Sequence, residues 1–172
     1  MEHLFSPWRS FYISSFASEE AEKNGCVFCA AYEGVKDEES LLVYRGKEFF
    51  VLMNRFPYNS GHLMIIPVRH THEFQSFTTS EMIESSELMK ASQRSLTELS
   101  HPHAFNIGMN LGRAAGAGID DHLHWHIVPR WNGDTNFMPV LADVKIVSED
   151  MGKQWSQLHE LFPRIMAESL PR

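Results

Sequence analysis

The chain has 172 residues, 43% hydrophobic and 22% charged, and a formal net charge of −7. That length suits one domain with a real core, and the acidic balance argues against non-specific nucleic-acid binding, which needs a basic surface. No apolar run approaches the roughly 18 residues of a membrane span, the N-terminus lacks a signal-peptide design, and two cysteines three positions apart make no disulfide framework; a cytoplasmic protein with no membrane or nucleic-acid partner is expected.

Residues 1–172 read as a single domain flanked by an N-terminal aromatic arm, 1–25, and a C-terminal helical region, 149–172. Phe5, Trp8, Phe11, Tyr12 and Phe16 are too many aromatics to leave in water, so the arm should pack on the body or on a second subunit. Residues 34–40 form a charged turn. Residues 41–45 and 49–54 have strand character and meet at Gly46-Lys47. Pro57-Tyr58-Asn59-Ser60-Gly61 has loop composition, and residues 62–67 make a strand closed by proline. Residues 79–99 are predicted helical. Thr79 or Ser80 serves as the cap, with Glu81 and Glu84 in the first turns. Met82, Ser85, Met89, Ser92, Leu96 and Leu99 fall on one stripe with Leu88 beside it, and this Met-rich stripe reads as core. A strand at 105–111 leads into the small-residue loop 112–118. A last helix, 149–162, is capped by Ser148 and ended or kinked by Pro163. Strands in hairpins, with one long helix between them, favour an α+β fold with a mostly antiparallel sheet.

The densest chemistry lies in residues 122–128, His-Leu-His-Trp-His-Ile-Val. A period of two is the side-chain period of a strand, so His122, His124 and His126 should share one face, and Leu123, Trp125 and Ile127 the other. Three imidazoles on one buried face each need a partner, which makes three merely structural histidines a poor explanation. One zinc ion does not serve all three, because the first and third stand about 13 Å apart along a strand while zinc–nitrogen bonds are near 2.0–2.1 Å. Covalent catalysis fits better: a central histidine attacks a phosphorus or carbonyl centre while its neighbours orient it and contact the anion. The preceding loop, with Gly116 and Gly118, supplies backbone amides suited to phosphate oxygens, and Asn110 stands where its amide can join them.

Cys26-Val27-Phe28-Cys29 has the spacing of zinc or redox chemistry. A thioredoxin-like motif should follow a strand in a βαβ context, and none is evident. Zinc needs two further ligands, for which His70 and His122 are the candidates and His72 a rival for the third place. His3, His101, His103 and His159 read as loop or surface residues.

Residues 122–128 match the His-φ-His-φ-His-φφ pattern of the histidine triad (HIT) superfamily of nucleotide hydrolases and transferases. Residues 52–67 (Leu-Met-Asn-Arg-Phe-Pro-Tyr-Asn-Ser-Gly-His-Leu-Met-Ile-Ile-Pro) resemble the family's upstream strand-loop-strand block. The flanks, Met-Glu-His-Leu-Phe-Ser-Pro-Trp-Arg at the N-terminus and Pro129-Arg-Trp131-Asn-Gly-Asp-Thr-Asn-Phe-Met downstream, resemble the bacterial diadenosine tetraphosphate phosphorylase-like branch. The resemblance implies a five-stranded antiparallel sheet with helices, dimerising into a ten-stranded sheet; a homodimer or a tetramer is expected. It implies that His124 is the nucleophile, that His126 and His62 contact the reacting phosphate and leaving group, and that His122 lies behind His124. Asn54 would sit near the ribose and Asn110 near the phosphates; Trp131 is a candidate substrate contact. In the related galactose-1-phosphate uridylyltransferases a Cys-x-x-Cys pair, a histidine and the first active-site histidine hold zinc, which agrees with Cys26, Cys29, His70 and His122. The expected substrate is a nucleotide or dinucleoside polyphosphate, with inorganic phosphate or water as acceptor. A structural zinc and no organic cofactor are expected.

Overall fold

The structure, a computed structural model, describes residues 25–135 and 150–169. The expectations for the aromatic arm, for His3 and for a cap at Ser148 fall outside the described residues. Five strands form one sheet: β1 (Leu42–Arg45), β2 (Phe49–Met53), β3 (Leu63–Pro67), β4 (Ala104–Met109) and β5 (Trp125–Arg130). Their order is β1-β2-β3-β5-β4, and every pairing is antiparallel. The helices are α1 (Val27–Glu33), α2 (Asp37–Ser40), α3 (Thr79–Ser100) and α4 (Met151–Ser169). This is the expected α+β arrangement. No helix of the described residues is long and apolar enough to cross a membrane.

The two faces of the sheet are covered differently. On one, Phe49, Val51, Met53, Leu63, Ile65 and Ile127 meet Leu88, Ala91 and Leu96 of α3 and Leu158, Phe162 and Ile165 of α4. On the other, Leu42, Phe50, Leu52, Met64 and Ile66 meet Phe28 of α1, with Ile119 at the margin. Strand alternation divides β2 cleanly between these clusters.

Three local expectations need correction. Thr78, not Thr79 or Ser80, caps α3: its hydroxyl accepts Glu81 N–H, and the Glu81 carboxylate accepts Thr78 N–H, a complete capping box. The core face of α3 keeps Ser85, Leu88, Ser92 and Leu96 of the expected stripe and adds Ala91 and Ser95, all of them buried, while Met82, Met89 and Leu99 are half-buried at its edge. Pro163 does not end α4, which continues to Ser169. Phe162 and Ile165, on either side of it, are fully buried, and that packing outweighs the loss of one helix hydrogen bond. Asp150 Oδ1 accepts Lys153 N–H at 2.8 Å, the bond of a cap at the start of α4.

The histidine segment also differs in register. Regular pairing begins only at Trp125, which sits opposite Ile65 and Met109. Residues 122–124 are held instead by Leu123 N–H on Thr71 O (2.8 Å) and by the His122 ring on Pro67 O (2.9 Å). They are buried beside the segment that leaves β3, without forming a ladder.

Candidate active site and metal centre

All three histidines of the segment are buried, and each ring nitrogen is distinguished by what it touches. His122 Nε2–H donates to Pro67 O, so Nδ1 carries the lone pair. That nitrogen lies 3.1 Å from Cys26 Sγ and 3.7 Å from Cys29 Sγ. Cys29 Sγ is in turn 3.5 Å from His70 Nδ1. The donor atoms of Cys26, Cys29, His70 and His122 all lie within 4.8 Å of one another. Ligands of a tetrahedral zinc stand about 3.3–3.8 Å apart, given bonds near 2.0–2.3 Å, so this set fits such an ion closely. Burial and the neighbouring Cys26 push the Cys29 thiol up to about 11; a cation is what would bring both sulfurs to thiolate. The other ring nitrogen of His70, Nε2, stands 3.8 Å from Asp121 Oδ2, beyond direct hydrogen-bond distance. His72 is not in the cluster.

His124 is arranged the opposite way. Its Nδ1–H donates to the backbone carbonyl of His122 at 3.0 Å, leaving the lone pair on Nε2. Burial pushes its pKa below the ordinary imidazole value, partly offset by that carbonyl. A neutral ring with one nitrogen tied down and the other carrying a lone pair is the state a nucleophilic imidazole needs. Phe28, between the two cysteines, packs its ring 5.0 Å from that of His124 and 5.6 Å from that of His122. The same short helix thus lines the metal cluster and the nucleophile candidate.

His126 faces away from the cluster, toward His62, with Nδ1 to Nε2 at 2.9 Å. Tyr58 N–H donates to His62 Nδ1 at 3.1 Å, and the Asn54 amide adds a contact at 3.3 Å. His62 therefore carries its hydrogen on Nε2 and donates it to His126 Nδ1, which leaves the His126 hydrogen on Nε2. The chain that sets this tautomer starts at a backbone amide.

The remaining expected residues fall around these rings. Asn54 closes β2 and also accepts Phe56 N–H at 2.9 Å through Oδ1. Asn110, just past β4, donates to Gly116 O at 3.3 Å and ties the small-residue loop to the strand. Within that loop Gly112 and Gly116 adopt positive φ, and Gly116 N–H is spent on Arg113 O at 2.9 Å. The Gly118 amide bonds nothing among the described residues. Trp131 lies beyond β5, its indole N–H on Ser100 O at 3.3 Å, at the end of α3.

Sequence reasoning passed over the polar residues that hold this arrangement. Asn59 donates to Pro129 O (3.1 Å) and to Asp134 Oδ2 (2.8 Å). Asp134 also pairs with Arg130. Gln154 of α4 accepts Gly61 N–H at 2.9 Å. The available signal was Pro57-Tyr58-Asn59-Ser60-Gly61 directly before His62: a loop of that composition next to a chemical residue invites a search for its anchors.

Residues 35–133 match the HIT domain family model. The chain belongs to the histidine triad (HIT) family. It is 35% identical over 155 residues to "AP-4-A phosphorylase" of Mycobacterium tuberculosis (strain ATCC 25618 / H37Rv), covering 87% of this chain and 78% of that protein. It is 30% identical over 95 residues to the asymmetrical bis(5'-nucleosyl)-tetraphosphatase of Schizosaccharomyces pombe, covering 55% of this chain and 52% of that one. Among solved structures, a Zn-bound histidine triad family protein from Mycobacterium smegmatis superposes with a TM-score of 0.66 at 24% identity, covering 84% of this chain and 98% of that one. HIT relatives thus include enzymes named for both phosphorolytic and hydrolytic chemistry on nucleotides.

Proposed function

We propose that this protein is a nucleotidyl-transfer enzyme working through a nucleotidyl-histidine intermediate on His124, and that its reaction is phosphorolysis of dinucleoside polyphosphates such as diadenosine tetraphosphate. The observation that carries the reading is the pairing of His124 Nδ1–H with His122 O, which leaves Nε2 as the nucleophile. The phosphorylase name rests on the M. tuberculosis relative.

His124 Nε2 attacks the α-phosphorus, a nucleoside polyphosphate leaves as an anion, and the nucleotidyl group stays on nitrogen. His126, supplied with its tautomer by His62, offers Nε2–H to phosphate oxygen as charge shifts to the leaving group. Gly118, Gly116 and Asn110 border the phosphate side, with Asn54 on the ribose side. Inorganic phosphate then attacks the intermediate; its oxygen bonds to phosphorus, the Nε2–P pair returns to the ring, and a nucleoside diphosphate forms. Water in the same position would release a monophosphate, the reading favoured by the S. pombe relative.

Cys26, Cys29, His70 and His122 would hold zinc as a structural cross-link between α1, the end of β3 and the histidine segment. With a zinc held there, Cys26, Cys29, His70 and His122 would fix the backbone that offers His122 O to His124. We further place the active protein in the cytoplasm as a homodimer.

The deciding experiment is product analysis with diadenosine tetraphosphate, with and without inorganic phosphate. ADP plus ATP formed only with phosphate establishes a phosphorylase. AMP plus ATP formed without it establishes a hydrolase. Tight binding with no turnover would make the site a nucleotide sensor.

A further inference from the structure

The loop before His62 does more than deliver that residue. It is fastened along its length: Asn54 Oδ1 holds Phe56 N–H, Asn59 reaches Pro129 O and Asp134, and Gly61 N–H is held by Gln154. Between these anchors stands Tyr58, whose backbone N–H sets the His62 tautomer. Its ring centroid lies 4.6 Å from that of His62 and 5.5 Å from that of His126, tilted by 43° and 32°. His62 is 1% exposed and His126 9%, whereas Tyr58 is 39% exposed. One aromatic ring therefore packs on both imidazoles while staying partly exposed itself.

That position bears on a choice the nucleophile does not make. Once the nucleotidyl group is on His124, the acceptor must enter from the side the leaving group vacated, which in our mechanism is the His126 side. Water far outnumbers phosphate in any solution, and on attack it must also shed a proton, whereas a phosphate dianion attacks with an oxygen already charged. An enzyme that returns a diphosphate has to keep water from that side while the intermediate lives.

We propose that Tyr58 is a positioning residue that shields the His62–His126 pair and so sets how the nucleotidyl-histidine divides between phosphate and water. The inference rests on the nucleotidyl-histidine reading above. The same bonds form and break in either branch: the acceptor oxygen bonds to phosphorus, the Nε2–P bond breaks, and the electron pair returns to Nε2. Only the acceptor, and the proton that water must lose, differ.

The test is the ratio of AMP to ADP from diadenosine tetraphosphate at fixed inorganic phosphate, for wild type, Tyr58→Phe and Tyr58→Ala. The ratio belongs to each turning-over molecule and does not change with the folded fraction. Tyr58→Phe keeps the ring and should keep the wild-type ratio; Tyr58→Ala should raise the AMP share at least tenfold. Tyr58→Leu, with apolar bulk but no ring broad enough to span both imidazoles, gives the same answer if the alanine variant is too unstable to assay. A wild-type ratio in the alanine and leucine variants overturns the shield and leaves the catalytic reading standing. A rise in Tyr58→Phe equal to that in Tyr58→Ala overturns it too, by moving the effect to the hydroxyl. AMP and ATP with no ADP from the wild type at every phosphate concentration removes phosphorolysis and the inference together.

Discussion

The two faces of the sheet bury polar groups for opposite ends. Under α3 and α4 the buried charged and amide side chains close local accounts: Glu81 completes a capping box and pairs with Arg69, and Gln154 takes one backbone N–H, while the buried Ser92 and Ser95 hydroxyls bond nothing among the described residues. Under α1 the imidazoles are only half committed. His122 spends Nε2 on a carbonyl and turns Nδ1 to two sulfurs, while His124 spends Nδ1 on a carbonyl and keeps Nε2 for a reaction. Identical side chains two residues apart thus receive opposite tautomers from the backbone, and with them different chemistry. On the second face the ring nitrogens left over are the ones placed for chemistry.

The sharpest way to break this contrast is on the second face. His124→Ala removes the one nitrogen that our mechanism requires and should lower turnover by about three orders of magnitude or more, while nucleotide binding, by titration calorimetry, persists. Turnover within tenfold of wild type would sink the nucleophile assignment. Next comes Cys29→Ser. Metal analysis should give one zinc per chain in wild type and close to none in the variant. The melting temperature should fall by several degrees, since a structural zinc contributes its binding energy to folding. Activity should decline in step with the folded fraction. Prompt loss of activity on chelation with the fold intact would instead make the metal catalytic.

The second face was the more legible of the two in the sequence. Histidines at a period of two and cysteines at a spacing of three have few bland explanations, and spacing and chemistry led to Cys26, Cys29, His70 and His122, with His72 as the rival that the geometry leaves out. The strand boundary was less legible. Alternation continues through residues 122–124, but the ladder starts at Trp125, because what holds the first two histidines is a carbonyl from Pro67 and one from Thr71, 55 and 52 positions upstream of their bonding partners. On the first face the fold class was readable and the detail was not. Apolar periodicity places Met82, Ser85, Met89 and Ser92 on one stripe; the serines are buried and the methionines lie at the edge, while Ser95 was not foreseen. The capping box was in plain view as Thr78-Thr79-Ser80-Glu81, where the three-residue step to Glu81 selects Thr78.

Two changes on the first face should act on stability. Gly61 has φ +75°, and a Cβ there would stand 2.8 Å from Leu96 Cδ2, which is fully buried. Gly61→Ala should cost about 2 kcal/mol by combined backbone strain and overpacking, read as a lower denaturation midpoint at unchanged slope. The smaller effect is electrostatic. The Arg69 guanidinium, helped by Thr78, holds the Glu81 carboxyl at about 2, against an ordinary 4.5. Since the folded pKa is depressed, the ion pair and cap stabilise fully above pH 4.5, and the contribution drains away as pH falls toward 2. Arg69 is 42% exposed, so solvent screens the pair, and Glu81→Gln should cost about 1–2 kcal/mol at neutral pH, roughly 3–6 °C in melting temperature. The distinguishing feature is the closing gap: below pH 4.5 the wild-type and Gln curves should converge. A constant offset across that range would mean that Glu81 acts through its capping bonds alone, without using its charge.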